Sequence, residues 1–180
     1  MITNTPSMVD EWLLSIKPYL NDNNNVIVGL DVERLLVRRR GMPDTVAVLQ
    51  LCIGEECLIF QILHASFIPK SLNDFLGNKN HKFVGVGIKD DVDKLLRDFS
   101  LQVVTFVDLR TLAAEKMSDK ALNFAGLKRL ALRVAGIEIE KPKKITLSNW
   151  SNFPLTLKQV EYASLDAFIS FEVGRLLFLL

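Results

Sequence analysis

The chain has 180 residues, 49% of them hydrophobic and 24% charged, and its 22 basic and 21 acidic side chains leave a formal net charge of +1. That length supports one well-buried domain and not two ordinary ones, and the near-neutral balance excludes a histone-like binder with a wholly basic surface, though not an enzyme whose acidic site is offset by basic surroundings. No run of about 18 apolar residues suggests a membrane span, and residues 1–17, which include Asp10 and Glu11, do not read as a signal peptide.

Residues 9–20 place Trp12, Leu13, Ile16 and Leu20 on one side and predict a short amphipathic helix. After a polar turn at 21–25, residues 26–33 (VIVGLDVE) are apolar and β-branched until they turn acidic, which predicts a central strand. A basic loop over 34–44 contains Arg38, Arg39 and Arg40. Residues 45–53 and 57–63 predict two further strands, and Gly54-Glu55-Glu56 between them has hairpin spacing, so the first three strands form an antiparallel meander. Cys52 and Cys57 lie in or beside these strands without a CxxC partner and are expected as buried reduced thiols, with a disulfide across the tight turn as the lesser alternative. His64 and His81 are isolated and read as surface or packing residues.

The pattern then alternates. A short helix at 71–76 leads to a strand at 82–88, and a helix at 91–99 carries Val92, Leu95, Leu96 and Phe99 on one face. A strand at 103–107 and a helix at 109–116 follow. Asn123 is the expected N-cap of a helix with Leu127, Leu130, Ala131 and Val134 at helical spacing, ended by Gly136. Residues 141–152 form a basic loop, and Thr156 with Gln159 makes a capping box that opens a long final helix. A meander followed by β-α-β-α units predicts an α/β fold: one mixed five-stranded sheet with helices on both faces, in a single domain over 1–180.

Three short stretches carry the chemistry. Asp31 and Glu33 stand at i, i+2 near the end of the most apolar strand, so their side chains share a face. Adjacent carboxylates repel unless a cation or a proton intervenes. Gly85-Val86-Gly87 runs into Lys89-Asp90-Asp91; lacking a third glycine it is no dinucleotide fingerprint. Tyr162 and Asp166 are one turn apart on the last helix. Taken singly, these read as a solvated strand end, a close strand–helix packing with Asp90 or Asp91 as cap, and a core tyrosine.

Together and in this order, they resemble the DEDD 3′-5′ exonucleases that carry the tyrosine form of the third motif (DnaQ-like), with Werner-type exonuclease domains and their plant stand-alone relatives the nearest likeness. The resemblance rests on residues 29–33 (GLDVE), 84–99 (VGVGIKDDVDKLLRDF), 148–166 (SNWSNFPLTLKQVEYASLD) and 46–52 (VAVLQLC), and covers about 26–177. It implies a ribonuclease H-like fold and hydrolysis of nucleic-acid 3′ ends to nucleoside 5′-monophosphates, with a pair of Mg²⁺ or Mn²⁺ ions as cofactors. By this likeness Asp31 bridges both ions, Glu33 and Asp166 complete the tighter site, Asp91 holds the second ion largely through water, and Tyr162 orients the attacking water. Two tryptophans of the Werner-type domain are replaced here, by Arg34 after the first-motif Glu and by Asp93 after Asp91.

Nucleic-acid contacts are expected from Arg38, Arg39 and Arg40 and from Lys141, Lys143 and Lys144; Trp150 is a candidate for stacking on a base, with anchoring of its loop the favoured alternative. DNA is favoured as substrate. An exoribonuclease is the nearest rival, because ribonuclease D resembles the same tyrosine motif, and a catalytically idle binding or scaffold module is the rival from another class. The likeness fits an intracellular protein of nucleus or cytoplasm; a helicase or repair partner in another chain and a homo-oligomer are left open.

Overall fold

A computed structural model of the chain describes residues 1–20, 26–35 and 44–180. The polar turn expected at 21–25 and the run Arg38, Arg39, Arg40 lie outside the described residues. Residues 26–30, nearly all apolar and largely buried, form the heart of the sheet, because a strand covered on both faces needs apolar side chains on both.

In chain order the elements are β1 (Ile2–Thr3), α1 (Pro6–Ser15), α2 (Lys17–Leu20), β2 (Val26–Leu35), β3 (Thr45–Ile53), β4 (Glu56–Phe60), α3 (Lys70–Leu76), β5 (His81–Gly85) and α4 (Ile88–Phe99). They continue with β6 (Phe106–Asp108), α5 (Leu109–Lys116), α6 (Leu127–Leu130), α7 (Lys143–Thr146) and α8 (Leu157–Leu179). The sheet order is β1-β4-β3-β2-β5-β6. The meander β2-β3-β4 is antiparallel, while β5 joins β2, β6 joins β5 and β1 joins β4 in parallel. Among the described residues the sheet thus has six strands rather than the expected five. The addition is β1, whose Ile2 and Thr3 pair with Ile59 and Phe60; two residues are too few to show the alternation by which a strand is read.

Helices cover both faces. On one side Val9, Trp12, Leu72, Phe75, Val92 and Leu95 pack on Val28, Leu30 and Phe83. On the other, Leu109, Leu112, Leu127, Leu130, Ile169 and Val173 pack with Val84. None of the described helices is long and apolar enough to cross a membrane.

Several boundaries move for physical reasons. The helix expected over 9–20 breaks at Ile16, between α1 and α2. Gly87 adopts φ +72°, a left-handed conformation that only glycine takes at little cost, so β5 ends early and α4 begins at Ile88. Asp90 and Asp91 therefore sit within the first turn of α4 and not at its cap. Gly126, not Asn123, caps α6, and Asn123 lies in the short turn Lys120–Phe124. The capping box at Thr156 and Gln159 is present as expected. The hairpin register sets Cys52 directly opposite Cys57, with Cα atoms 4.1 Å apart, and the two are joined as a disulfide. This corrects the expectation of reduced thiols: directly opposed residues project to the same face of a hairpin, which brings the sulfurs together.

What fixes α8 against the sheet is Gly29. A Cβ there would collide with the Ala167 carbonyl and the Phe171 amide of α8. Backbone cannot yield as a flexible side chain can, so Gly29→Ala should cost at least ~2 kcal/mol of stability. Urea unfolding of the metal-free protein measures this, and an unchanged midpoint would mean that α8 is free to move away.

Candidate active site

β2 carries Asp31 and Glu33 out of the apolar core, and a bulge between Glu33 and Arg34 shifts its register against β3 immediately afterwards. Such a bulge re-aims the strand just beyond the acidic pair. The first turn of α4 brings Asp91, and α8 brings Tyr162 and Asp166. Asp31 and Glu33 form a shared wall between two cavities. One, of about 660 Å³, is lined also by Asp91, Arg34, Lys89 and Arg110. The other, of about 370 Å³, is lined also by Asp166, Tyr162, Lys141 and Lys128. All four acids and the tyrosine named from the sequence therefore surround one wall.

Side chains sort the acids of α4. Asp90 is tied to Lys94 and Asp93 to Lys89, and both acids are exposed. Asp91 is the one turned inward, and its carboxyl is raised by burial first and by Asp31 next. Burial likewise raises Asp31, with Asp166 adding to the effect. Glu33 is pushed up to about 9 by burial and then by the charges of Asp31 and Asp166. Asp166 is raised by burial in spite of Lys141 and the Tyr162 hydroxyl, which pull the other way. This is the behaviour of carboxylates crowded into a dry place without enough positive charge.

The loop before α8 is pinned from several sides. Gln61 Nε2 donates to the Asn152 carbonyl at 2.9 Å, and His64 Nε2 lies 2.9 Å from the Ser151 carbonyl. Gln159, 1% exposed, donates to Ser148 Oγ and the Asn149 carbonyl, each at 3.0 Å, while its own carbonyl oxygen serves the capping box. Thr146 Oγ1 donates to the Tyr162 hydroxyl at 3.0 Å. Burial raises the Tyr162 phenol above its ordinary value, and the Thr146 bond only opposes this.

The expected nucleic-acid contacts fare differently. Trp150 is 1% exposed, its indole donates to the Thr146 carbonyl at 3.2 Å, and its ring lies 6.0 Å from that of Tyr162. It anchors the loop and offers no face to a base, which corrects the stacking role. Lys143 and Lys144 stand exposed on α7. Lys141 is turned inward, with Nζ 2.5 Å from Asp166 Oδ2 and 5.1 Å from the centre of the Tyr162 ring. Its expected phosphate contact is thus not the contact it makes.

Sequence reasoning passed over Gln50. It is fully buried directly across from Asp31, and neither atom of its amide has a hydrogen-bond partner in the structure. The signal was available: it is the one polar residue between Thr45 and Cys52 in an otherwise apolar strand.

Hard carboxylate oxygens from β2, α4 and α8, short of neutralising charge, are the donor chemistry of Mg²⁺ or Mn²⁺ rather than of a softer metal. By that test the residues suit a divalent ion. In the side-chain arrangement seen, no three His, Cys, Asp or Glu among the described residues are close enough together to chelate one, and Asp166 holds the Lys141 ammonium instead.

A family model described as 3′-5′ exonuclease matches residues 9–177. The chain is 43% identical over 143 residues to the mouse bifunctional 3′-5′ exonuclease/ATP-dependent helicase WRN, a match covering 79% of this chain and 10% of that protein. It is 31% identical over 184 residues to a 3′-5′ exonuclease of Arabidopsis thaliana, covering 98% of this chain and 62% of the relative. The chain thus spans less than two thirds of the length of either. Among solved structures, Escherichia coli RNase D, an exoribonuclease involved in structured RNA processing, superposes with a TM-score of 0.81 at 19% identity, over 99% of this chain and 44% of that one. At that identity the likeness is one of fold.

Proposed function

Since the chain belongs to the 3′-5′ exonuclease family, we propose that it is itself a metal-dependent enzyme releasing nucleoside 5′-monophosphates from nucleic-acid 3′ ends, with DNA favoured. The observation that carries this is the shared wall of Asp31 and Glu33, with Asp91 on one side and Asp166 and Tyr162 on the other. Asp31 would contact both ions, Glu33 and Asp166 the tighter one, and Asp91 the second. When bound, two divalent ions steady the attacking and leaving oxygens of an in-line displacement.

The protein's own groups do the rest. Apolar packing beneath β2 and α8 holds Asp31 and Asp166 in place. Tyr162, its phenol kept protonated by burial and its oxygen held by Thr146, orients the attacking water rather than deprotonating it. Tyr162→Phe should therefore lower kcat on the order of 10- to 100-fold with KM nearly unchanged. A variant with full kcat in single-turnover assays would remove the tyrosine from the reaction. Lys143 and Lys144 are exposed and suited to backbone phosphates; by its sequence alone, the arginine run at 38–40 is a further candidate.

The preference for DNA rests on the resemblance of residues 29–33, 84–99 and 148–166 to Werner-type exonuclease domains. Incubation of the purified chain with 3′-labelled DNA and RNA, in Mg²⁺, Mn²⁺ or EDTA, tests the reading. Labelled mononucleotide from DNA, abolished by EDTA, is expected. Faster release from RNA would establish the exoribonuclease, and binding without release in any metal would leave only a nucleic-acid-binding module.

A further inference from the structure

We propose that Lys141 is a tethered cation that occupies the Asp166 side of the acidic cluster and sets the affinity of that side for a divalent ion. This rests on the metal-dependent reading given above and names the residue with which the ion must compete.

The Lys141 ammonium sits 2.5 Å from Asp166 Oδ2, on a carboxylate whose side chain is 2% exposed. It lines the same cavity as Asp31, Glu33 and Tyr162, and its approach to the Tyr162 ring, 5.1 Å from the centre, adds a cation–π contact. Among the other described cations around the site, Arg110 pairs with Asp108, Lys94 with Asp90, Lys89 with Asp93 and Arg34 with Asp44, while Lys128 lines the same cavity without an ion pair to any of the four acids. Lys141 is directed at one of the four acids themselves.

An ion held by Asp166 would compete with Lys141 for that carboxylate, and two cations a few ångströms apart on one largely buried acid repel strongly. Binding is therefore an exchange, ammonium out and ion in. The exchange is mechanically easy. Lys141 lies between Gly136 and the start of α7 at Lys143, outside regular structure, and its four-carbon stem can carry the charge to solvent. In the ion's absence the lysine relieves part of the repulsion among Asp31, Glu33 and Asp166; in its presence the lysine is displaced. Lys141 is thus a positioning residue of the metal site, and its removal should strengthen ion binding while weakening the metal-free fold.

Mn²⁺ titration of the full chain at neutral pH, followed by calorimetry or by the electron paramagnetic resonance of free Mn²⁺, reads this directly. In Lys141→Met the dissociation constant should fall by about tenfold or more, in Lys141→Arg it should stay within about threefold of the parent, and in the remote control Lys70→Met it should not change. Lys141→Gln serves if methionine disturbs the loop, and circular dichroism checks the fold of each variant. A merely structural lysine would leave affinity unchanged or weaken it when removed, and either result in a folded variant overturns the inference. Mn²⁺ binding by the parent with no gain in the variant defeats this inference alone; no Mn²⁺ binding by parent or variant defeats the metal-dependent reading as well.

Discussion

Replacing Asp31 with Asn is expected to abolish nucleolytic turnover and, in the same protein, to raise the melting temperature measured without metal. Asp31 stands at the centre of the wall, where it lines both cavities and adds its charge to that of Glu33 and Asp91. Asparagine has the same shape and keeps the acceptor that receives the Val32 amide at 2.8 Å. The charge goes, and one acceptor oxygen becomes an amide NH2. On the proposed reading neither ion would then be held correctly, and the loss of rate should reach 10³-fold or more, equivalent to at least ~4 kcal/mol of transition-state stabilisation. Free of metal, that charge is a burden, because burial and Asp166 both oppose it. Its removal should therefore stabilise the fold by ~1–2 kcal/mol, as neutralising a strained functional group commonly does. Activity within about tenfold of the parent would remove Asp31 from the reaction. A less stable metal-free variant would show instead that the acids do not repel.

Metal-free protein should melt at progressively lower temperature as pH rises from about 4.5 to about 9, and millimolar Mg²⁺ should reverse the trend. Glu33 moves from its ordinary 4.5 to about 9 in the folded state. Below the lower value both states hold the proton. Between the two, the folded state keeps a proton that the unfolded chain has released, so stability falls as pH rises, and the loss is complete above the upper value. Asp31 and Asp91 are raised too and act in the same direction; His81, lowered by burial from 6.5, acts the other way below that value and is outweighed by the three acids. Lys141 does not offset this. It too is raised in the folded state, from 10.5, so its favourable contribution is already full below that pH and is lost only above it. Since a divalent ion replaces the retained protons, Mg²⁺ should raise the melting temperature most at the alkaline end of the window and least at the acid end. A melting temperature that is flat or rises with pH without metal would mean that these carboxylates are well solvated.

The sequence made some of this legible because periodicity is local. The i, i+2 spacing of Asp31 and Glu33 puts both on one wall, and the i, i+4 spacing of Tyr162 and Asp166 puts both beside the same cavity. Strands β2 to β5 and helices α4, α5 and α8 were readable from apolar patterning and caps. What escaped were relations between distant residues. Lys141 looks like a phosphate binder when read among Lys143 and Lys144, and only the fold reveals Asp166 beside it. Trp150 can be read from the sequence as a loop anchor or as a stacking platform, and only its burial against Tyr162 decides between them. The Cys52–Cys57 bond depends on register, which the hairpin loop alone did not fix. The β1 strand is intelligible only from its partner, β4.

The rigid spacing of Tyr162 and Asp166 on α8 has a consequence for how the chain can change length. A single residue inserted between them would rotate one relative to the other by ~100° about the helix axis and carry it out of the cavity, since each residue advances a helix by 1/3.6 of a turn. One inserted earlier, between Gly136 and Lys141, would lengthen a connection outside regular structure and disturb the buried Ile139 and the Lys141 contact rather than the relative placement of the acids. Length variation should thus be better tolerated before α7 than between Tyr162 and Asp166, so comparing gapped variants at the two places would separate the frame of the active site from its slack.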